Sequence, residues 1–503
     1  MKKPVSFSTS NNHSFLYSPF RNQVLLCHPI VIHLFELEQT GINLRDYIGS
    51  FPQGQPLILS EYLQFSRREL TYQWKKYRFL KQHNFFRNPR NINLNSRLTP
   101  SRIATDLTRV QQVIFETTEE CNLSCTYCTY SKFYVNKERG SRKFDIEGAK
   151  RALHHLLSIR AGDAGELIIS FYGGEPLMNI RFIKEVVAFL RGPAGDGHQF
   201  KFSMTSNGLL LSKHAEFLAT SNFEISVSLD GDEYGNAFRV MPNKKSSHDT
   251  VVKNLDFVRE HFPDYFEKNL SFLAVLHNKN SFTGVNEYIR GRYGKTPLTS
   301  MISTMNIPDE HKNEFSSTFL RGMQPDFQER KAMHELFMTH PTVKDLANAI
   351  EKYTGIVFKN HFQVITRING DEGTKEFLPT ATCMPFSMRV YLTAEGTILP
   401  CEHIGRDFEL GQLTSDEIRI STESIAGMFN QCFDKIRSLC DQCFLADNCK
   451  ECVFNTRIQT NQPECDFFLD EKKFKSFLAR FFTLIENDFP LYTRLLKEGF
   501  HAK

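Results

Sequence analysis

Residues 112–128 read QVIFETTEECNLSCTYC. An apolar run of strand composition gives way to three cysteines, Cys121, Cys125 and Cys128, inside one short loop, and a segment with helical spacing follows. Thiols spaced CxxxCxxC can ligate three irons of a cubane cluster, and the lack of a fourth cysteine nearby leaves one iron open to a small molecule. A structural zinc would be expected to have four protein ligands, so three thiols after a strand argue against a purely structural ion.

Downstream, apolar strands and helical segments continue to alternate, which is the signature of βα units and a parallel sheet. The candidate strands are QVIFETT, ELIISFYGG, KFSMTSNG, EISVSLDG, LSFLAVLHN and TSMISTMN, with DIEGAKRALHHLLSIRAG and NIRFIKEVVAFLRG among the helices between them. Six units predict an α/β fold built as a partial (β/α)6 TIM-type barrel; a doubly wound sheet is the alternative. Either architecture puts the site at the carboxyl ends of the strands, where the cysteine loop lies.

The whole chain has 503 residues, 41% hydrophobic and 23% charged, which predicts several globular domains and no disordered or fibrous tract. Five segments are expected: 1–95, a small α+β domain; 108–310, the barrel; 311–375, a helical connection; 376–470, a cysteine-rich domain; and 471–503, closing helices. In the first segment, NHSFLYSP and NQVLLCHP read as a strand pair, with helices over IVIHLFELEQTG and LSEYLQFSRRELTYQWKKYRFLKQHNFF. The amino terminus lacks the apolar core of a secretory signal, and VLLCHPIVIHLF is too short and interrupted to span a bilayer. A cytoplasmic, membrane-free protein is predicted, in which the 12 cysteines stay reduced and clustered ones serve as metal ligands. Net charge is only +4, but Glu61–Val110 holds eleven Lys and Arg against three acids, either a surface for an acidic partner or a solvated basic face.

With Tyr127 before its last cysteine, CNLSCTYC resembles the signature loop of the radical S-adenosylmethionine enzymes. FYGGEP (Phe171 to Pro176), TSNG (Thr205 to Gly208) and SVSLDG (Ser226 to Gly231) resemble that family's next strand ends, in the family's order. The resemblance implies that Cys121, Cys125 and Cys128 hold a [4Fe-4S] cluster. It further implies that S-adenosyl-L-methionine chelates the open iron, and that one electron, from a donor such as a flavodoxin or ferredoxin, releases a hydrogen-abstracting 5′-deoxyadenosyl radical. The implied cofactor contacts are Tyr127, Gly173, Gly174, Glu175, Ser206, Asn207, Ser228 and Arg239. Where relatives carry a His-Asp pair before that arginine, this chain reads DEYGNAFR, one residue shorter and without the pair.

Toward the carboxyl end, CMPFSMRVYLTAEGTILPC and CDQCFLADNCKEC, followed by Cys465, resemble the SPASM extension of radical enzymes that modify peptides, with one residue fewer between Cys449 and Cys452. That resemblance implies two auxiliary [4Fe-4S] clusters, making three in all. One would use Cys383, Cys401 and Cys452, with its fourth place either open or closed by Cys432. The other would use Cys440, Cys443, Cys449 and Cys465. Taken alone, paired CxxC motifs also suit a zinc ribbon. Cys27, inside an apolar stretch, is expected to be a buried small hydrophobe.

The element order of residues 1–95 resembles the winged-helix-like recognition domain of maturases that act on ribosomally made peptides, where a leader segment adds a strand to the sheet. A packing cap is the plain alternative, and a nucleic-acid reader ranks last. The combined expectation is a peptide maturase that abstracts hydrogen from a precursor peptide bearing a leader, to install a crosslink or related change. A formylglycine-type sulfatase maturase and a non-catalytic, metal-stabilised peptide-binding protein are the alternatives. No acid, base or radical quencher is identifiable in the sequence; His154, His155 and His277 read as surface or core histidines.

Overall fold

Strands Phe200–Ser206, Glu224–Ser228 and Leu270–Leu276 of the parallel sheet alternate buried residues with less buried ones, so that one face of each is the more apolar. In the computed structural model, residues 3–21, 23–61, 63–87, 93–134, 140–162, 164–304, 307–321, 330–335, 337, 340–354, 376–446, 449–458 and 462–498 are described. They belong to two units, Met1–Ser96 with Asp326–Ala381 and Phe433–Lys503, and Arg97–Pro325 with Thr382–Cys432. Each unit therefore draws on several of the segments expected from sequence.

In the first unit, β1 (Val5–Ser8), β2 (Ser14–Ser18) and β3 (Gln23–Leu26) form an antiparallel sheet in that order. The predicted strand pair is thus joined by a third strand, VSFS. Helices Pro29–Gln39 and Leu44–Ser50 follow, then a hairpin of β4 (Leu57–Ser60) and β5 (Leu63–Phe65), then helix Arg67–Gln82. The sequence predicts a helix that begins at Leu59, but Leu59, Ser60 and Leu63–Phe65 belong to this strand pair. The reason lies at Ser66, whose side chain caps Glu69 N–H while the Glu69 carboxylate reaches back to Ser66 N–H, a reciprocal cap that fixes the helix start at Arg67. Buried Cys27, Leu34, Leu70 and Tyr77 share the core of this region, so Cys27 takes the expected hydrophobic role. The rest of the unit packs around Phe474, Leu478 and Phe481 of helix Glu471–Asn487, which with Phe489–Glu498 makes the expected closing pair. Of the predicted helical connection, Pro341–Thr354 is a helix; residues 322–329 and 355–375 lie outside the described set.

The second unit is mixed α/β around one large sheet. All six predicted strands form: β6 (Gln112–Thr118), β7 (Leu167–Gly173), β8 (Phe200–Ser206), β9 (Glu224–Ser228), β10 (Leu270–Leu276) and β11 (Leu298–Met301). They lie side by side in parallel, in the order β11-β10-β9-β8-β7-β6. Helices Ile146–Ile159, Ile180–Arg191, Leu211–Thr220, His248–His261 and Phe282–Tyr293 occupy the successive connections, as parallel pairing demands. Interlocked Phe115, Phe144, Phe171 and Phe182 fasten the first two helices to the sheet. On the other face, Gln112, Ser170, Ser203, Ser226 and Ser271 line a polar cavity of about 360 Å³.

The cysteine-rich segment, in whose sequence no strand was assigned, contributes β12 (Arg389–Leu392), a seventh parallel strand beside β6, then antiparallel β13 (Thr397–Leu399), β14 (Gly411–Leu413) and β15 (Ile418–Ile420). The turn between β12 and β13 depends on Gly396, at φ +94°, where a Cβ would stand 2.5 Å from the Leu413 carbonyl oxygen. A long helix, Thr422–Gln442, follows. Strands this short carry too few residues to show a period in sequence.

Candidate functional site

The cysteine loop leaves β6 at Thr118 and is held from two sides by main-chain hydrogen bonds. Ser124 N–H donates to the Val240 carbonyl at 2.7 Å and Thr126 N–H to that of Phe238 at 3.0 Å. From the end of β7, Gly174 N–H donates to Thr118 at 2.8 Å and Glu175 N–H to Glu120 at 2.8 Å. Cys121, Cys125 and Cys128 are in no disulfide, and they lie near enough for the other two to act on the charge of Cys125. Burial pushes the Cys125 thiol up to about 12, with the Arg239 charge pulling the other way. A thiolate there needs positive charge beside it, which bound iron would supply. The donor set fits an iron–sulfur cluster. Among the described residues no three His, Cys, Asp or Glu side chains are placed as ligands of one ion; a cubane does not ask for that, because each of its thiolates holds a different iron.

The predicted cofactor contacts fall into two networks. In the first, buried Glu175 accepts from Ser206 Oγ at 2.9 Å, Asn207 N–H at 2.8 Å and Leu177 N–H at 3.1 Å. Asn207 in turn donates through Nδ2 to Asn122 Oδ1 at 2.7 Å and stands 3.7 Å from Cys121 Sγ. Gly173 and Gly174 belong here too, for a reason the sequence did not supply: their missing Cβ atoms leave room for the backbone of Thr118, Glu119 and Glu120. In the second network, Tyr127 donates its hydroxyl to Asp230 Oδ2, and Arg239 Nε contacts the same oxygen at 3.0 Å while its guanidinium lies 5.5 Å from the Tyr127 ring centroid. Ser228 ends β9 two residues before Asp230. His277, read from sequence as a surface or core histidine, is fully buried, with Nε2 3.8 Å from Asp230 Oδ2. Asp230 itself was missed as a partner, although a carboxylate in an apolar strand end was the signal, since such a group must find one. Burial alone would raise the Asp230 carboxyl; Arg239, the neighbouring His277 and hydrogen bonds from Tyr127 and Val275 N–H outweigh it and hold it below its usual range.

Glu175 gives a pH prediction. Burial lifts its carboxyl from 4.5 to about 7 despite three donors. Because the folded form holds its proton more tightly than the unfolded chain, the contribution of this carboxyl to stability is greatest at low pH and falls as pH rises from about 4.5 to 7, by up to about 3 kcal/mol. Glu175→Gln should flatten that slope in denaturant midpoints measured at pH 5 and pH 7.5. A variant with the wild-type slope would place the titration elsewhere.

Beside the loop opens a cavity of about 1200 Å³, lined in part by Glu116, Tyr130, Tyr391, Glu402, Arg142 and Arg406. Glu116, buried within β6, accepts from Tyr130 Oη at 2.9 Å and Ala394 N–H at 2.9 Å. Arg406 and Arg142 approach Glu119 at 3.3 and 3.6 Å. A cavity of this size accepts a ligand of peptide-segment dimensions.

The remaining cysteines divide between the units. In the second, Cys383 is exposed, Cys401 feels its charge, and burial pushes Cys401 up to about 11; Cys432 is buried on helix Thr422–Gln442. In the first, Cys440, Cys443, Cys449 and Cys465 line one cavity of about 380 Å³, and Leu469 N–H points at Cys443 Sγ at 3.5 Å. Cys452 precedes the short turn Val453–Asn455 of the same unit and is not among the lining residues of that cavity.

Comparison with known proteins agrees with this geometry. The family model for the Radical SAM superfamily matches residues 115–282. A cysteine-type anaerobic sulfatase-maturating enzyme of Clostridium novyi is 29% identical over 177 residues, 34% of this chain and 45% of that protein. The radical SAM cyclopropyl synthase TigE of Paramaledivibacter caminithermalis is 26% identical over 192 residues, 34% of this chain and 40% of that protein. The chain thus spans less than half the length of either relative. A solved structure of native anSMEcpe with bound AdoMet and the Cp18Cys peptide superposes with TM-score 0.51 at 17% identity, over 78% of this chain and 99% of that one, a likeness of fold. Among the described residues no helix is long and apolar enough to cross a membrane.

Proposed function

Because residues 115–282 form a radical SAM domain, we propose that this chain is a radical S-adenosylmethionine peptide maturase, acting on a ribosomally made precursor. The observation that carries the reading is the cysteine loop, tied through Asn207 and Glu175 to the ends of β7 and β8 and open beside a cavity of about 1200 Å³. When bound, the cluster and S-adenosyl-L-methionine supply one-electron chemistry and a hydrogen-abstracting group. The chain's own part is positional. Glu175 and Asn207 fix the cysteine loop, Tyr127 and Arg239 close one side of it, and the cavity admits the peptide and limits water. Ser228 is proposed to contact the cofactor, and an external flavodoxin or ferredoxin to supply the electron. In the carboxyl-terminal region, Cys440, Cys443, Cys449 and Cys465 are proposed as one auxiliary cluster's ligands, and Cys383 and Cys401 as members of a second set. The five-segment division is proposed as the functional one, with residues 376–470 as the SPASM region.

The first 95 residues are proposed to bind a leader. Support comes from β3, an edge of its sheet with Leu26 exposed, and from Tyr72 and Phe79, exposed on a helix that also bears Lys75, Lys76 and Arg78. Trp74, the one tryptophan, is partly buried there and stacks on Tyr77 at 5.8 Å. A cognate leader should shift Trp74 fluorescence on titration, and a chain lacking residues 1–95 should lose the binding by about tenfold or more, about 1.4 kcal/mol. Unchanged fluorescence together with unchanged affinity would leave this region a packing cap. A second reading, a sulfatase maturase, is favoured by the match to the Clostridium novyi enzyme. Its substrate would be a cysteine or serine of a sulfatase segment and would need no leader; turnover of such a segment by the truncated chain would select it. For the central proposal the test is anaerobic reduction with S-adenosylmethionine and assay for 5′-deoxyadenosine.

A further inference from the structure

We propose that the buried Asp230–Arg239 pair sets the reduction potential of the cluster held by Cys121, Cys125 and Cys128, from a position fixed by the cysteine loop itself. This rests on the reading that those cysteines hold an iron–sulfur cluster.

The segment carrying Arg239 runs alongside the loop. Its two bonds to that loop, from Ser124 N–H to Val240 and from Thr126 N–H to Phe238, bracket Cys125 on one strand and Arg239 on the other. The arginine's place is therefore set by the cysteines and not by its spacing from SLDG, which explains how DEYGNAFR can be a residue short and still deliver it. Arg239 is 9% exposed and Asp230 0%, and Nε meets Oδ2 at 3.0 Å. Asp230 cannot turn away. Its Oδ2 also accepts from Tyr127, its Oδ1 accepts from Val275 N–H at 2.9 Å, and its carbonyl accepts from Asn280 Nδ2 at 2.9 Å. Both ends of the pair meet the loop at Tyr127, between Cys125 and Cys128: Asp230 accepts its hydroxyl and the Arg239 guanidinium lies 5.5 Å from its ring centroid. Burying two charges is costly and stabilises a fold weakly, but a fixed dipole in a low-dielectric site acts strongly on any neighbour whose charge changes. An iron–sulfur cluster gaining an electron is such a neighbour, and its potential responds to nearby charge.

The charge pair therefore predicts opposite shifts. Potentiometric titration of the anaerobically purified full chain, followed by electron paramagnetic resonance, reads the midpoint of the signal that is absent when Cys121, Cys125 and Cys128 are all alanine. Arg239→Gln leaves Asp230 uncompensated and should lower the reduced-to-oxidised ratio at fixed potential about tenfold, a shift of about 59 mV for one electron. Asp230→Asn leaves the guanidinium uncompensated and should raise it by a similar factor. Arg239→Lys keeps the charge and should hold the ratio within about threefold, about 28 mV. Shifts of the same sign in the two neutralised variants, no shift in either, or an Arg239→Lys shift equal to that of Arg239→Gln would overturn the proposal. Should Arg239→Gln fail to take up iron, the comparison of Arg239→Lys with Asp230→Asn decides alone. A wild-type chain without the signal would refute the underlying cluster assignment instead.

Discussion

A chain with Cys121, Cys125 and Cys128 all replaced by alanine should form no detectable 5′-deoxyadenosine, while retaining its fold and any iron bound by its carboxyl-terminal cysteines. The fold survives because the loop is held by main-chain groups. Ser124, Thr126 and Cys128 donate through backbone N–H to Val240, Phe238 and Cys125, and alanine keeps every one of those donors. The Leu123 N–H contact to Cys121 Sγ at 3.4 Å and the Asn207 contact at 3.7 Å go with the thiols, and the amide of Asn207 still has Asn122. Removal of three thiols is thus a chemical change in a preserved frame. Iron should fall by about four per chain, the content of one cubane, leaving whatever the carboxyl-terminal cysteines hold. Continued 5′-deoxyadenosine formation at the wild-type rate would sink the assignment of these residues. A loss of all iron would show instead that the carboxyl-terminal cysteines hold none of their own.

Much of the parallel sheet was legible because its strands are long and apolar enough to declare themselves, and the helices between them carry clear spacing. The short elements were not. VSFS, the two strands of the β4–β5 hairpin and β12 to β15 have three or four residues each, too few for a period to stand out from chance. At the site, FYGGEP, TSNG and SLDG were visible as motifs, but what they do was not. The Glu175 contact to Ser206 spans 31 positions, the Tyr127 contact to Asp230 spans 103, and the Glu116 contact to Ala394 spans 278. Partners at such separations are chosen by the fold, and a single sequence records only that a buried carboxylate must have some partner. His277 shows the same limit, since nothing local in AVLHNKN distinguishes a surface histidine from one sealed against Asp230.

Gly174→Ala should damage the site from outside it, with an effect second only to loss of the cysteines. A Cβ at this position would stand 2.0 Å from the Glu120 carbonyl oxygen, 2.5 Å from its carbon and 2.7 Å from the Glu119 oxygen. All three atoms are backbone, so no rotamer change relieves the contact. The end of β7 and the start of the cysteine loop must separate, and two bonds stand across that gap, Gly174 N–H to Thr118 and Glu175 N–H to Glu120. Overpacking costs about 1–3 kcal/mol, and each buried bond broken adds about 1 kcal/mol, so a loss of about 3 kcal/mol is expected. The displacement passes directly to Cys121, the next residue along from Glu120, and site-cluster iron should fall with the denaturant midpoint. Gly162→Ala is the control. Its Cβ would meet nothing within 4 Å, and the change should stay within about 0.5 kcal/mol. If Gly174→Ala keeps the wild-type midpoint and full iron, the two strand ends are not pressed together as described, and the link from β7 through Glu120 to the first cysteine fails with them.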